Sequence, residues 1–186
     1  MRPAMTLEGM FAAMARNNAW ANRRLHEACR GLPDGAFGAP RGGFFGSISR
    51  TLNHILIVDW YYLDQMSGEG LGYWLRQDEE PYPLLDDLIE AQRAADRRLI
   101  AFCDGLGLAD LARTVPMERP GRKAPDERIG DLLAHLFQHQ VHHRGQAHGL
   151  LSDAGITPPQ LDEFFLVDDG RFRGDDMAAL RDLGLD

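Results

Sequence analysis

The chain has 186 residues, a formal net charge of −8, 44% hydrophobic and 26% charged residues, which is the make-up of one ordinary globular domain with a sizeable core. The acidic balance argues against nucleic-acid binding, which needs a basic stripe to displace phosphate counterions, and against adhesion to an anionic membrane surface. The richest apolar run, Leu52–Leu63, is interrupted by His54 and Asp59 and falls short of the ~20 residues of a membrane span. No apolar segment followed by a small-residue cleavage site opens the sequence, so a cytoplasmic location is expected. Cys29 and Cys103 stand far apart with no Cys-x-x-Cys spacing. We expect two reduced, inert thiols, and neither a disulfide scaffold nor a zinc finger.

Helical periodicity dominates, and the expected fold is all-α: a four-helix bundle with a long crossover connection. The first helix runs from an N-cap at Thr6 to Arg30, where Gly31 and Pro33 stop it, and carries the stripe Leu7, Met10, Phe11, Met14, Ala21, Leu25 and Ala28. Residues 31–46 are rich in Gly and Pro and read as loop. Ser47 caps a second helix that continues to about Ser67. The stretch Gly68–Pro83 can span ~50 Å when extended, enough for the crossover. A third helix covers about Leu84–Asp104, with Leu88, Ala95 and Leu99 on its buried face. Residues 106–126 read as irregular, with a short ribbon around Pro120-Gly121. The fourth helix runs from near Asp126 to near Asp153. We divide the chain into a metal-binding bundle, residues 1–167, and a loosely held acidic tail, residues 168–186, in which Met177–Leu183 can form one short helix.

Of seven histidines, His135, His139, His142 and His143 fall within the fourth helix. Its apolar stripe is Leu132, Leu133 and Leu136, then Ala147, Leu150 and Leu151, and the inward positions between are those of His139 and His143. Residues i and i+4 share a face, so two imidazoles can address one centre. A buried pair without partners leaves polar nitrogens unsatisfied at ~1–3 kcal/mol each, which an ion relieves. His54, on the apolar second helix beside Thr51, Ile55 and Val58, is the candidate third ligand; a hydrogen-bonded core histidine is the competing reading for it. Zinc, nickel, iron or manganese accepts three imidazoles, and three protein ligands leave positions open, the catalytic rather than the structural pattern. His26 and His148 read as surface residues. His135 and His142, one helical step aside, suit supporting or interface roles.

His139-Gln-Val-His-His-Arg-Gly-Gln146, read with Asn53-His54-Ile55, Asp59-Trp60 and Asn17-Asn-Ala-Trp-Ala-Asn22, resembles the DinB-like family of metal-dependent proteins over residues 7–167. That resemblance implies a four-helix bundle with a crossover, often dimeric, holding one divalent metal through a His of the second helix and a His-x-x-x-His pair of the fourth. Carried over, these are His54, His139 and His143. It also implies, for some members, transferase activity with low-molecular-weight thiols such as bacillithiol, mycothiol or glutathione.

Within that frame Arg144 either recognises a carboxylate of a thiol cofactor or faces solvent. Gln146 can bond across the bundle, and Gly145 can admit a neighbouring helix. Asp59 either orients a ligand imidazole or is an exposed carboxylate. Trp20 and Phe137 offer apolar surface for a homodimer. Three function classes compete: a metal-dependent enzyme, as a thiol S-transferase or a hydrolase; a non-catalytic metal-binding stress-response protein; and an interaction bundle without metal.

Overall fold

The structure, a computed structural model, describes residues 5–70, 78–119 and 122–182. Helix α1 covers Leu7–Cys29, α2 Ile48–Ser67, α3 Leu85–Asp104 and α5 Ile129–Asp153; between the last two lie a short helix α4, Leu108–Ala112, and a hairpin of β1, Thr114–Arg119, and β2, Arg122–Arg128. A final helix, α6, covers Gly170–Asp182. The expected caps are in place, with Gly9 N 3.2 Å from Thr6 Oγ1 and Arg50 N 3.0 Å from Ser47 Oγ. Gly68 ends α2 in a left-handed conformation at φ 72°, which glycine adopts without a Cβ penalty.

The long helices form a ring in which α1 packs on α3 and α5, and α2 on α5 and α3. Side-chain bonds give the directions. Asn53 bonds Tyr82 near the start of α3 and Gln92 bonds Asp59, so α2 and α3 run parallel. The connection after Gly68 therefore returns along the bundle, as its length predicts; its residues 71–77 lie outside the described residues. Asn22 on Asp96 and Arg16 on Asp104 set α1 antiparallel to α3, while His54 on His143 and Tyr62 on His135 set α2 antiparallel to α5. Consecutive helices α1 and α2 thus sit on a diagonal, and the 30–47 loop crosses the end of the bundle where α2 begins.

Apolar burial falls into two clusters. One joins Phe11, Trp20, Tyr61, Leu99, Leu133 and Phe137, the other Leu25, Ile48, Leu52, Leu56, Leu88 and Leu151. At ~25 cal/mol per Å² of apolar area such burial is the main driving force for the bundle. Trp20 and Phe137 are buried inside the chain's own core, so the apolar surface expected to support a homodimer is not offered by them. Both cysteines are free and buried, with burial pushing each thiol up to about 12.

Two expectations need correction. Residues 106–126 hold α4 as well as the ribbon, whose strands pair from Thr114 with Arg128 onward and slip register after Pro116; its Pro120-Gly121 turn lies outside the described residues. The described part of the acidic tail, residues 168–182, packs on the bundle instead of lying loose. It forms α6, with Leu180 buried, and Asp176 accepts from Trp20 Nε1, Arg23 Nη1 and Arg24 Nε. A carboxylate shared by two guanidiniums and an indole is a charge-assisted anchor that residue-by-residue composition does not reveal. Leu183, the expected end of the short helix, lies outside the described residues. No described helix is long and apolar enough to cross a membrane.

Candidate metal centre

His139 and His143 stack one turn apart on α5, and antiparallel α2 brings His54 against them. Ring centroids are 4.2 Å apart for His139–His143, 4.6 Å for His54–His143 and 5.0 Å for His54–His139. Each ring offers one nitrogen such that all three lie within 4.8 Å of one another, and the group as a whole can hold a metal ion. The structure thus brings together the three residues that the helix periodicity selects.

The donor chemistry fits a cation. His54 Nε2 and His139 Nε2 face each other at 3.1 Å, close to the ~3.3 Å between two nitrogens that share one tetrahedral ion at ~2.05 Å. Burial, then the neighbouring His143 and His54, hold the His139 imidazole far below its ordinary range, at about 3. Burial lowers His143 as well, opposed by the hydrogen bond its ring donates to Gln146 Oε1. Neutral rings with free lone pairs are what a metal site requires.

A cleft of about 320 Å³ opens at His54, lined by Phe44, Phe45, Arg50, Ile57 and Glu79. The 30–47 loop supplies its aromatic wall. Phe45 lies 4.4 Å from the His54 ring and 5.3 Å from His143, and Phe44, 86% exposed, packs edge-on against Phe45 at 4.9 Å. Gly43 at φ 102° and Gly46 at φ 77° flank the pair; a side chain at either would be strained. Glu80 accepts from Ser49 Oγ at 2.5 Å and Arg50 Nε at 3.2 Å, fixing the guanidinium at the rim.

Behind the histidines lies a polar layer that sequence reasoning misses. Asn18, Asn22, Asp59, Gln92, Asp96, Gln140 and Arg144 are all buried, and they separate the two apolar clusters. Gln140 Nε2 donates to Asp59 Oδ1 at 2.6 Å and to the Ile55 carbonyl at 3.0 Å; Gln92 Nε2 donates to Asp59 Oδ2 at 2.8 Å and Asp96 Oδ1 at 3.2 Å. Asn18 and Asn22 donate to Asp96 Oδ1 and accept from Arg144 Nη1. Gln140 and Arg144 directly follow His139 and His143, so this layer fixes the rotation of α5 and with it the direction of both imidazoles.

These contacts correct several expectations. Arg144 is buried rather than solvent-facing, with its Nη1 donating to Asn18 and Asn22; burial lowers its guanidinium to about 10 while Asp59 and Asp96 oppose the shift. Asp59 is a buried carboxylate, not an exposed one, and accepts from Gln92 and Gln140. Gln146 bonds along its own helix, to His142 and His143. A Cβ on Gly145 would meet nothing within 4 Å, so that glycine admits no neighbouring helix. His26 is buried, and burial followed by the charges of Arg93 and Arg30 holds it at about 3. His148 is half-buried and donates to the Pro159 carbonyl at 3.1 Å. His135 and His142 are exposed, with His135 stacked on Tyr62 at 5.6 Å.

Burial raises both buried carboxylates, and the Asp59 charge raises Asp96 further, to about 7 from an ordinary 3.8. Folded Asp96 therefore keeps a proton that the unfolded chain releases above 3.8, and its contribution to stability, complete below that pH, is lost as pH rises towards 7. Asp96→Asn keeps an acceptor for the two asparagines and does not titrate. Its melting temperature relative to the parent should rise between pH 4 and pH 8. A difference that is flat over that range would contradict this assignment.

Three comparisons bear on the chain as a whole. Residues 5–170 match the sequence profile of the DinB family. The chain is 24% identical over 154 residues to Protein DinB of Bacillus subtilis (strain 168), covering 78% of this chain and 86% of that protein. The fold matches the crystal structure of a DinB-like protein from Bacillus cereus ATCC 10987 with a TM-score of 0.58 at 20% identity, over 76% of this chain and 90% of the other.

Proposed function

The chain belongs to the DinB family, and on that premise we propose that it is a metal-dependent enzyme whose divalent ion, zinc, nickel, iron or manganese, is held by His54, His139 and His143. The observation that carries the reading is the triad itself: three imidazoles converge with no thiolate or carboxylate in the set, beside an open cleft. A structural zinc normally has four protein ligands, and three leave room for a substrate atom. This supports catalysis over a purely structural ion.

The reaction we favour is transfer of a low-molecular-weight thiol to a carbon electrophile, in which sulfur forms the new bond, the leaving group departs with its electron pair and the thiol proton passes to solvent. A bound divalent ion supplies a Lewis acid that lowers the pKa of a ligating thiol at neutral pH. The chain's own contributions are positional. Phe44, Phe45 and Ile57 form an apolar wall for the electrophile, and Arg50, braced by Glu80, sets the polar rim. Cys29 and Cys103 are both buried, with thiols pushed up to about 12. Neither is suited to act as an internal nucleophile, so the nucleophile comes from outside.

Cobalt-substituted protein tests this. Bacillithiol, mycothiol or glutathione at millimolar concentration should add sulfur-to-metal charge-transfer absorption and perturb the d–d bands, and metal-free protein should lose transferase turnover. A spectrum unchanged by all three thiols would refute the transferase reading and put a hydrolase ahead of it.

A further inference from the structure

His143 has two ring nitrogens, and the structure commits one of them. Its Nδ1 lies 2.8 Å from Gln146 Oε1; an amide oxygen only accepts, so Nδ1 carries the ring proton and Nε2 keeps its lone pair. Gln146 Nε2 lies 3.2 Å from His142 Nε2, a contact in which the amide donates and the ring nitrogen accepts. In this orientation of the carboxamide Oε1 is on His143 and Nε2 on His142. The opposite orientation would place an NH2 group against His143 Nδ1 and move the ring proton to Nε2, blocking the nitrogen that remains for an ion.

We propose that Gln146 is a positioning residue of the metal centre, holding His143 in its Nδ1–H tautomer so that Nε2 is the ligating atom. This rests on the metal-binding reading above and adds to it a residue that touches no ion. Outer partners of this kind fix ring orientation and tautomer, and their loss typically weakens metal binding by about 10- to 100-fold. Gln146 belongs to neither apolar cluster of the described residues; it is half-buried and borders a second groove beside Gly149 and Leu150. A change there separates tautomer control from folding.

The test uses the full chain with Gln146→Leu and Gln146→Glu, glutamate being able to accept the same Nδ1 proton. In metal-free protein labelled with 15N-histidine, long-range 1H–15N correlation should show His143 as Nδ1–H in the parent and in Gln146→Glu, but not held so in Gln146→Leu. Zinc affinity by chelator competition should fall about 10- to 100-fold in Gln146→Leu and recover in Gln146→Glu, with melting temperatures of both variants close to the parent. Parent-like affinity in Gln146→Leu, or an unchanged His143 tautomer there, would overturn the role of Gln146 alone. A parent protein that takes up no divalent ion would overturn the metal reading and this role with it.

Discussion

Arg144→Met should destabilise the protein by about 3–5 kcal/mol, the cost of stranding buried charge when its partner is removed. Arg144 is the single cation within a buried layer that holds Asp59 and Asp96, and both carboxylates feel its charge. The substitution keeps the apolar stem and removes the guanidinium, leaving the Asn18 and Asn22 amide oxygens without their donor. For a chain of this size that loss lowers the melting temperature by roughly 6–20 °C. Neutralising one carboxylate in the same background, Arg144→Met with Asp96→Asn, should recover part of it. Thermal and urea unfolding measure both, and a loss below about 1 kcal/mol would show that the layer is not organised around this charge.

His139→Ala should abolish stoichiometric metal in the purified protein, a loss well beyond the ~100-fold expected from an outer partner. His139 faces both other members of the triad, with its Nε2 3.1 Å from His54 and its ring 4.2 Å from His143, and its removal leaves two ligands. His26→Ala and His148→Ala should leave metal content unchanged, since neither belongs to the convergent group. Elemental analysis after purification without a metal-affinity step reads the outcome. Full metal content in His139→Ala would refute the ligand assignment.

The bundle and the candidate ligands are legible in the sequence for one physical reason: a helix places i and i+4 on the same face, so two histidines inside an apolar stripe identify themselves. The same rule applies to Asn18 and Asn22 on α1, Gln92 and Asp96 on α3, and Gln140 and Arg144 on α5, each an i, i+4 pair. Those pairs give no comparable signal, because an isolated charge or amide is seldom buried. Their burial depends on partners from other helices, which no single helix encodes. Asp59 escapes for the same reason, since the amides that satisfy it come from α3 and α5. The docking of α6 is likewise tertiary: Asp176 finds Trp20, Arg23 and Arg24 across the whole length of the chain. Phe44 and Phe45 sit in a Gly-rich loop with no periodicity to read, and only the folded loop shows them beside His54 and His143.

X-ray absorption at the edge of the bound metal, on protein loaded with one equivalent of zinc, tests the central claim most directly. Three imidazole nitrogens at ~2.0–2.1 Å, with the multiple scattering of histidine rings, are the predicted coordination. A sulfur shell at ~2.3 Å, or a first shell without imidazole scattering, would contradict binding by His54, His139 and His143.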